Sequence, residues 1–169
     1  MNEVPTPAAQ HDDIDALEAA RRKKLLRVQE LGHDPWGSRF DDRHLIGEIR
    51  DRAGEVKLKL ENGSEIDLPE PAEDFNYRQW LADQGKGEIA GPKVRAAGRI
   101  MLSRDAGKLR FVNIQDWTGT IQLFIGKNQV GDDNWELSGC FDLGDFVGVD
   151  GELRRTKTGE LTIFVLRIS

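Results

Sequence analysis

Three side chains in the second half of this chain combine useful chemistry with a spacing that places them on strand surfaces. Phe111 shares one face of an alternating stretch with Asn113 and Gln115, so that face is predicted to lie outside the core. An exposed aromatic ring there can stack on an unpaired nucleotide base, which contributes roughly 1–3 kcal/mol. Gln122 can donate and accept hydrogen bonds, and Glu160, after a turn, can accept one from a base N–H group.

Each of these residues also has an ordinary structural explanation. Phe111 could be covered by the N-terminal part of the chain, and Gln122 could be a solvated strand residue. Glu160 could simply pair with Lys157. It is the combination on one open sheet that indicates a surface for stacking and reading bases.

Basic residues lie near these positions and could contact phosphates. Arg104 and Lys108 flank the first predicted hairpin, where a solvated loop is the alternative explanation. The densest basic run lies far upstream on a predicted helix, where such a run is more often a solvated face. The accessory contacts predicted for a nucleic acid are Lys108, Asn113, Phe124, Lys157, Arg21, Arg22, Lys23 and Lys24.

The alternation that positions these residues predicts five strands. They cover residues 94–102, 109–116, 120–125, 145–154 and 160–168, with a short helix near 135–141. Three strands, a helical connection and two further strands are the order of an OB-fold, a small Greek-key barrel. The first strand is predicted to direct Val94, Ala96, Gly98, Ile100 and Leu102 into the core. The residues predicted to face away from the barrel interior are Phe111, Asn113, Gln122, Phe124, Glu160 and Thr162.

The remainder of the chain divides into three parts ahead of the barrel, which covers residues 93–169. Residues 1–11 are predicted to be a disordered tail, and 12–46 an amphipathic helix with an irregular lead-in. Residues 47–92 are predicted to be an insertion with a hairpin at Asn62-Gly63, a short helix at 75–84 and a glycine-rich linker from 85 to 92. The predicted fold class is therefore mainly β.

Composition and charge exclude several functions. The net charge is −6, with 13 basic and 20 acidic residues in 1–92 against 11 and 10 in 93–169, so bulk charge alone does not predict nucleic-acid binding. No apolar run is long enough to span a membrane, and the single cysteine fits a reducing cytoplasm. No phosphate-binding loop, nucleophile elbow or metal-ligand spacing is present, so no catalytic residue, metal site or cofactor is predicted in this chain.

Several ordered motifs in the chain resemble the N-terminal anticodon-binding domain of class II lysyl-tRNA synthetases, the lysine–tRNA ligases. The upstream stretch 25–40, with Leu31-Gly-His-Asp-Pro-Trp, is similar to that family's lead-in helix and turn. Thr156-Lys-Thr-Gly-Glu-Leu favours the lysyl branch over the aspartyl and asparaginyl branches. The motifs within the barrel lie at residues 94–104, 107–111, 116–124, 143–151 and 156–161.

The resemblance implies that the partner is the U-rich anticodon loop of lysine tRNA. Phe111 is then expected to stack on the central anticodon base, Gln122 and Glu160 to read base edges, and Arg104 to contact the loop. ATP and Mg²⁺ belong to the family's catalytic domain, whose motifs are missing here, so this chain alone is not expected to charge tRNA. The family's enzymes are cytoplasmic homodimers, and whether this chain dimerises, or works with a separate catalytic domain, is left open.

Two other functions are compatible with the residues. A general single-strand-binding module would bind RNA with little sequence preference and a steep salt dependence. A protein-interaction domain acting through residues 55–84 would keep the fold and bind no RNA.

Overall fold

The computed structural model describes the backbone of residues 7–169 and the side chains of residues 14–169. The chain divides after Ser38 into two compact units. The second unit contains a closed five-stranded barrel formed by β4 (Lys93–Ala106), β5 (Leu109–Asp116), β6 (Gly119–Gly126), β7 (Phe146–Arg155) and β8 (Leu161–Ile168). The strand order around the barrel is β4-β5-β6-β8-β7, and only the β6–β8 pair is parallel. This is the OB-fold topology, so the predicted fold class is confirmed.

The barrel core is built from the aliphatic residues that alternate inward along each strand. Each of these side chains is at most 5% exposed. They are Val94, Ala96, Ile100, Val112, Ile114, Ile121, Leu123, Ile125, Val147, Val149, Leu153, Leu161, Ile163 and Val165. The alternation predicted from sequence therefore identified most of the core.

Leu102 is an exception to that alternation. A β-bulge between Ile100 and Leu102 adds one residue to β4 relative to β5. Because the extra residue reverses the facing of everything after it, Leu102 lies outside the barrel and is 56% exposed. The prediction that Leu102 belongs to the core was wrong.

Helix α4 (Lys127–Gly139) packs against β6 and β8. It begins earlier than the helix predicted near 135–141 and is kinked at Gly131, where φ is +79°. Its buried residues Val130 and Leu137 add to the core. Arg110, which is 9% exposed, donates to the Ser138 hydroxyl and so ties α4 to β5.

The insertion forms a small antiparallel sheet of its own. The predicted hairpin is present as β1 (Lys57–Leu60) and β2 (Glu65–Asp67), and α3 (Tyr77–Asp83) matches the predicted short helix. The predicted linker instead contains a third strand, β3 (Gly87–Ala90), which pairs with β1. Gly87 was misread as a linker glycine; it lies where a Cβ would come 2.6 Å from the Lys59 carbonyl oxygen, so it permits close strand approach.

The insertion is anchored to the end of the barrel hairpin β7–β8. Arg155, which is 4% exposed, donates to the Gly159 carbonyl at 2.8 Å and to the Glu70 carboxylate at 2.6 Å. A Cβ at Gly159 would lie 2.7 Å from the ring of Tyr77. The insertion therefore packs directly behind the β7–β8 turn.

Helix α1 (Pro7–Glu30) belongs to the first compact unit and starts earlier than predicted. Residues 7–11, assigned to a tail, are helical, whereas residues 1–6 lie outside the described residues. Gly32, with φ of +82°, ends the helix as expected. Across residues 7–169, no helix is long and apolar enough to cross a membrane.

A short helix, α2 (Ile46–Asp51), leads into the insertion. Its first N–H groups are capped from the β5–β6 turn: Ile46 donates to the Asp116 carboxylate at 2.9 Å and Gly47 to the Thr118 hydroxyl at 2.8 Å. Burial by itself raises the pKa of Asp116, but hydrogen bonds from Ile46, Thr118 and Gly119 lower it overall. The charged carboxylate thus fastens the lead-in segment to the barrel.

Candidate nucleic-acid interface

Three phenylalanines lie side by side across the outer surface of the barrel. Phe111 on β5 is paired in register with Phe124 on β6, which is paired with Phe164 on β8. The Phe111 and Phe124 rings are 5.4 Å apart in an edge-on arrangement, and the Phe124 and Phe164 rings are stacked at 4.5 Å. All three are half-buried. We call these residues the aromatic row.

An arginine lies at each end of the aromatic row. The Arg104 guanidinium is 5.1 Å from the centre of the Phe111 ring, and that of Arg154 is 5.5 Å from the Phe164 ring. Arg154 is also paired with Glu152 at 3.0 Å and Glu88 at 3.1 Å. No ion pair involving Arg104 occurs among residues 14–169, so its charge remains available for a phosphate.

A second row of polar residues, the polar row, runs parallel to the aromatic row and lies two residues away from it on each of the same three strands. Asn113 on β5 pairs with Gln122 on β6, which pairs with Thr162 on β8. Gln122 donates from Nε2 to Thr162 Oγ1 at 3.0 Å. Asn113 and Gln122 are half-buried, whereas Thr162 is fully buried. Thr162 therefore pairs with the outward-facing Gln122 as predicted, but its side chain is not accessible to solvent.

The β7–β8 turn, which lies between Arg155 and Leu161, carries Lys157 and Glu160 at the strand end next to Thr162. Both side chains are exposed. The turn is closed by the Thr156 N–H, which donates to the Glu160 carbonyl at 2.9 Å, and Gly159 adopts φ of +91°. Glu160 precedes Thr162 by two residues and is linked to it, because Thr162 Oγ1 donates to the Glu160 carbonyl at 3.1 Å.

The structure brings most of the predicted site residues to one face. Phe111, Asn113, Gln122 and Phe124 belong to the two adjacent rows, and Arg104 lies beside Phe111 at the end of the aromatic row. Lys108 is exposed in the β4–β5 turn, and the exposed Lys157 and Glu160 lie in the β7–β8 turn. The basic run Arg21–Lys24 lies on α1 in the other compact unit, where Arg22 pairs with Glu18 at 2.6 Å, so its part in this site stays a prediction.

Two residues of this face were missed from the sequence. Phe164 completes the aromatic row, and its alternation with Ile163 and Val165 was the available signal. Arg154 was not predicted, because it reaches the Phe164 ring through the pairing of β7 with β8 and no sequence motif marks it.

Ion pairs within the barrel neutralise several of its arginines. Arg110 is bound to Asp105 at 2.6 Å and Arg95 to Asp150 at 2.9 Å. The hydrogen bonds from Arg110 lower the pKa of Asp105 and keep it ionised. Within residues 14–169 no group of three His, Cys, Asp or Glu side chains is arranged to hold a metal ion.

Residues 94–169 match the sequence model of the family described as "tRNA_anti-codon: OB-fold nucleic acid binding domain". The match covers the barrel from the second residue of β4 onward, so the barrel is similar to this OB-fold nucleic-acid-binding family.

Curated relatives extend the similarity to nearly the whole chain. The lysine–tRNA ligase of Streptococcus pyogenes is 33% identical over 159 residues, which are 94% of this chain and 27% of that relative. The lysine–tRNA ligase of Staphylococcus aureus is 35% identical over 152 residues, covering 90% of this chain and 26% of that relative. The chain therefore spans about a quarter of the length of these relatives.

Among solved structures, the asparaginyl-tRNA synthetase from Pyrococcus horikoshii complexed with asparaginyl-adenylate is 28% identical. It aligns with a TM-score of 0.45 over 47% of this chain and 19% of that chain.

Proposed function

We propose that the barrel binds the anticodon loop of lysine tRNA by stacking its unpaired bases and reading their edges. The observation that carries this proposal is the aromatic row with Gln122 beside it on one accessible face. Anticodon bases are unpaired and present both a π-face and a Watson–Crick edge. A row of rings flanked by amide and carboxylate groups complements both features.

Each residue of the face has a role in this proposal. Phe111, with Arg104 beside its ring, stacks on the central anticodon base. Gln122 and Glu160 form hydrogen bonds with base edges. Lys108, Lys157 and Arg104 contact phosphates, and Asn113 and Phe124 extend the binding face.

The charge balance supports recognition through bases rather than through backbone charge. The barrel carries 11 basic and 10 acidic residues, and several of its arginines are paired internally. Few phosphates can therefore be neutralised, and affinity should depend only weakly on salt. A general single-strand-binding module would show the opposite behaviour.

We also propose that the chain acts as the tRNA-recognition part of a lysine–tRNA ligase in the cytoplasm. Its similarity to two bacterial lysine–tRNA ligases over nine tenths of its length supports this assignment. Activation of lysine with ATP and Mg²⁺ would reside in a catalytic domain and would use no residue of this chain. Homodimer formation is part of the same proposal.

The test is fluorescence anisotropy of the purified chain with a lysine-tRNA anticodon stem-loop and with a second stem-loop whose central uridine is replaced. We expect clear preference for the native loop, and roughly a tenfold or greater loss of affinity in Phe111→Ala, because one base loses its stacking partner. Trp117→Ala is the matched control, since Trp117 is 74% exposed in the β5–β6 turn, away from the aromatic row.

Equal affinity for both stem-loops with a steep salt dependence would favour a general single-strand module. Absence of RNA binding would favour a protein-interaction domain and would move attention to residues 55–84. An equal loss in Phe111→Ala and Trp117→Ala would show that the aromatic row is not the binding face.

A further inference from the structure

A buried hydroxyl lies beside the proposed reading residue Gln122, on the neighbouring strand β8. Thr162 is 0% exposed, so no RNA atom can reach it. Its Oγ1 accepts from Gln122 Nε2 at 3.0 Å and donates to the Glu160 carbonyl at 3.1 Å. Gln122, Thr162 and Glu160 thus form one short chain of hydrogen bonds that runs from the polar row to the β7–β8 turn.

This chain of hydrogen bonds determines which end of the Gln122 carboxamide is free. A threonine hydroxyl has one hydrogen, and the Glu160 carbonyl can only accept, so that hydrogen is directed to Glu160. The remaining lone pairs of Oγ1 can only accept, so the Gln122 group facing Thr162 is its NH₂. If instead the Gln122 carbonyl oxygen faced Thr162, the hydroxyl hydrogen would have to turn toward Gln122. Thr162 Oγ1 and the Glu160 carbonyl oxygen would then lie 3.1 Å apart with no hydrogen between them. The Gln122 carbonyl oxygen is therefore the end left for a ligand.

We propose that Thr162 is a positioning residue that holds Gln122 as a hydrogen-bond acceptor and thereby selects uridine over cytidine; the proposal rests on the anticodon-binding function above. Uracil carries an N3–H donor, which an outward carbonyl oxygen can accept. Cytosine has a lone pair at N3, which faces the same oxygen unfavourably. A free glutamine side chain could rotate its amide by half a turn and accept either base, so the fixed orientation supplies the discrimination.

The same hydroxyl couples Gln122 to the β7–β8 turn. Thr162 binds the backbone carbonyl of Glu160, so the two proposed base-reading residues share one support. Removing the hydroxyl leaves the Glu160 carbonyl with the Thr156 N–H, which donates to it at 2.9 Å. Because that carbonyl keeps a partner, variants without the hydroxyl are expected to remain folded.

The experiment compares Thr162→Val and Thr162→Ala, which lack the hydroxyl, with Thr162→Ser, which retains it. Affinities are measured for two stem-loops that differ only by uridine or cytidine at the central anticodon position. We expect the wild type and Thr162→Ser to prefer uridine by roughly tenfold or more, the penalty of an unmatched buried acceptor. In Thr162→Val and Thr162→Ala the ratio should fall toward unity, mainly through tighter binding of the cytidine loop.

Two measurements separate positioning from loss of structure. Thermal unfolding shows whether each variant is folded, and the salt dependence of affinity should be unchanged, because no phosphate contact is altered. Thr162→Ala, with less bulk than Val, provides a second test if Thr162→Val does not fold. If folded variants lacking the hydroxyl keep the wild-type ratio, the proposal is overturned while the anticodon-binding function stands. A wild type that binds neither loop, or both equally, overturns the anticodon-binding function and this inference with it.

Discussion

Replacing Gly159 by alanine tests how the insertion supports the β7–β8 turn. Gly159 has φ of +91°, and a Cβ there would lie 2.7 and 2.8 Å from two ring atoms of Tyr77 and 3.1 Å from Pro71 Cβ. Gly63 in the β1–β2 turn offers a matched control, because its φ is +86° and a Cβ there meets nothing within 4 Å. Both substitutions strain the backbone, but only Gly159→Ala also creates a steric clash.

The structure provides a magnitude for each substitution. An alanine forced into the left-handed region costs about 1–2 kcal/mol, and this cost is common to both glycines. Carbon atoms pack best near 3.5–4.0 Å, so the Gly159 contacts amount to overpacking, which costs typically 1–3 kcal/mol. Gly159→Ala should therefore lower the free energy of unfolding by roughly 1–3 kcal/mol more than Gly63→Ala. For a chain of this size, a difference of 2 kcal/mol corresponds to about 4–8 °C in melting temperature.

The assay is urea unfolding followed by tryptophan fluorescence, with Tyr77→Leu added to form a double-mutant cycle. If the clash with the ring is the cause, Tyr77→Leu should cost roughly 1–3 kcal/mol less in the Gly159→Ala background than in the wild type. Equal destabilisation by Gly159→Ala and Gly63→Ala, or strict additivity in the cycle, would refute the packing of Tyr77 against the turn.

Three further substitutions probe the core, a carboxylate and a buried phenol. Val112→Ala, at a fully buried position beside Phe111, should cost about 1–3 kcal/mol in urea unfolding yet leave RNA affinity unchanged in anisotropy, and a loss of affinity in folded protein would contradict this. The pKa of Asp116 is lowered in the folded state, so the stability it adds is present above the ordinary aspartate pKa near 4 and is lost as pH falls through the folded value. In unfolding measurements at pH values below about 4, Asp116→Asn should therefore lose less stability than the wild type. The Tyr77 hydroxyl has no hydrogen-bond partner within residues 14–169, so Tyr77→Phe should leave stability at pH 7 unchanged or raise it by up to about 1 kcal/mol. Because burial raises the pKa of Tyr77, the free energy of unfolding is unaffected by this group below pH about 10 and falls as pH rises further. Unfolding titrations of Tyr77→Phe should not show this loss of stability at alkaline pH.

Strand alternation made the barrel and most of its binding face predictable. In β5, β6 and β8 the inward residues are mostly aliphatic, with Arg110 near the start of β5 as an exception. Phe111 and Gln122 could therefore be assigned to the outer face without knowing which strands pair. Alternation depends only on the pleat of one strand, which is a local property. The proposed face could be recognised because aromatic and polar residues alternate with the buried aliphatic residues along these strands.

Features that depend on distant partners were not predictable in the same way. Helix α2 is capped by Asp116 and Thr118, 70 and 71 residues away along the chain, and no local N-cap residue marks its start. Strand β3 begins at Gly87, and this glycine was read as part of a linker because the pairing with β1 joins segments separated by α3. The bulge beyond Ile100 is likewise a property of two strands together, which is why Leu102 was misplaced.

Barrel closure allows the proposed binding face to be exposed without weakening the core. Every strand is paired on both sides, so the aromatic row contributes ring contacts on the surface while the inward residues supply most of the burial. Phe111 and Val112 are adjacent in sequence but face opposite sides, and Phe164 stands in the same relation to Ile163. Thr162 is an exception to this separation, because it is a fully buried member of the polar row that binds the half-buried Gln122. A change there should alter which base is read before it alters whether RNA is bound, and that order of effects distinguishes a positioning residue from a contact residue.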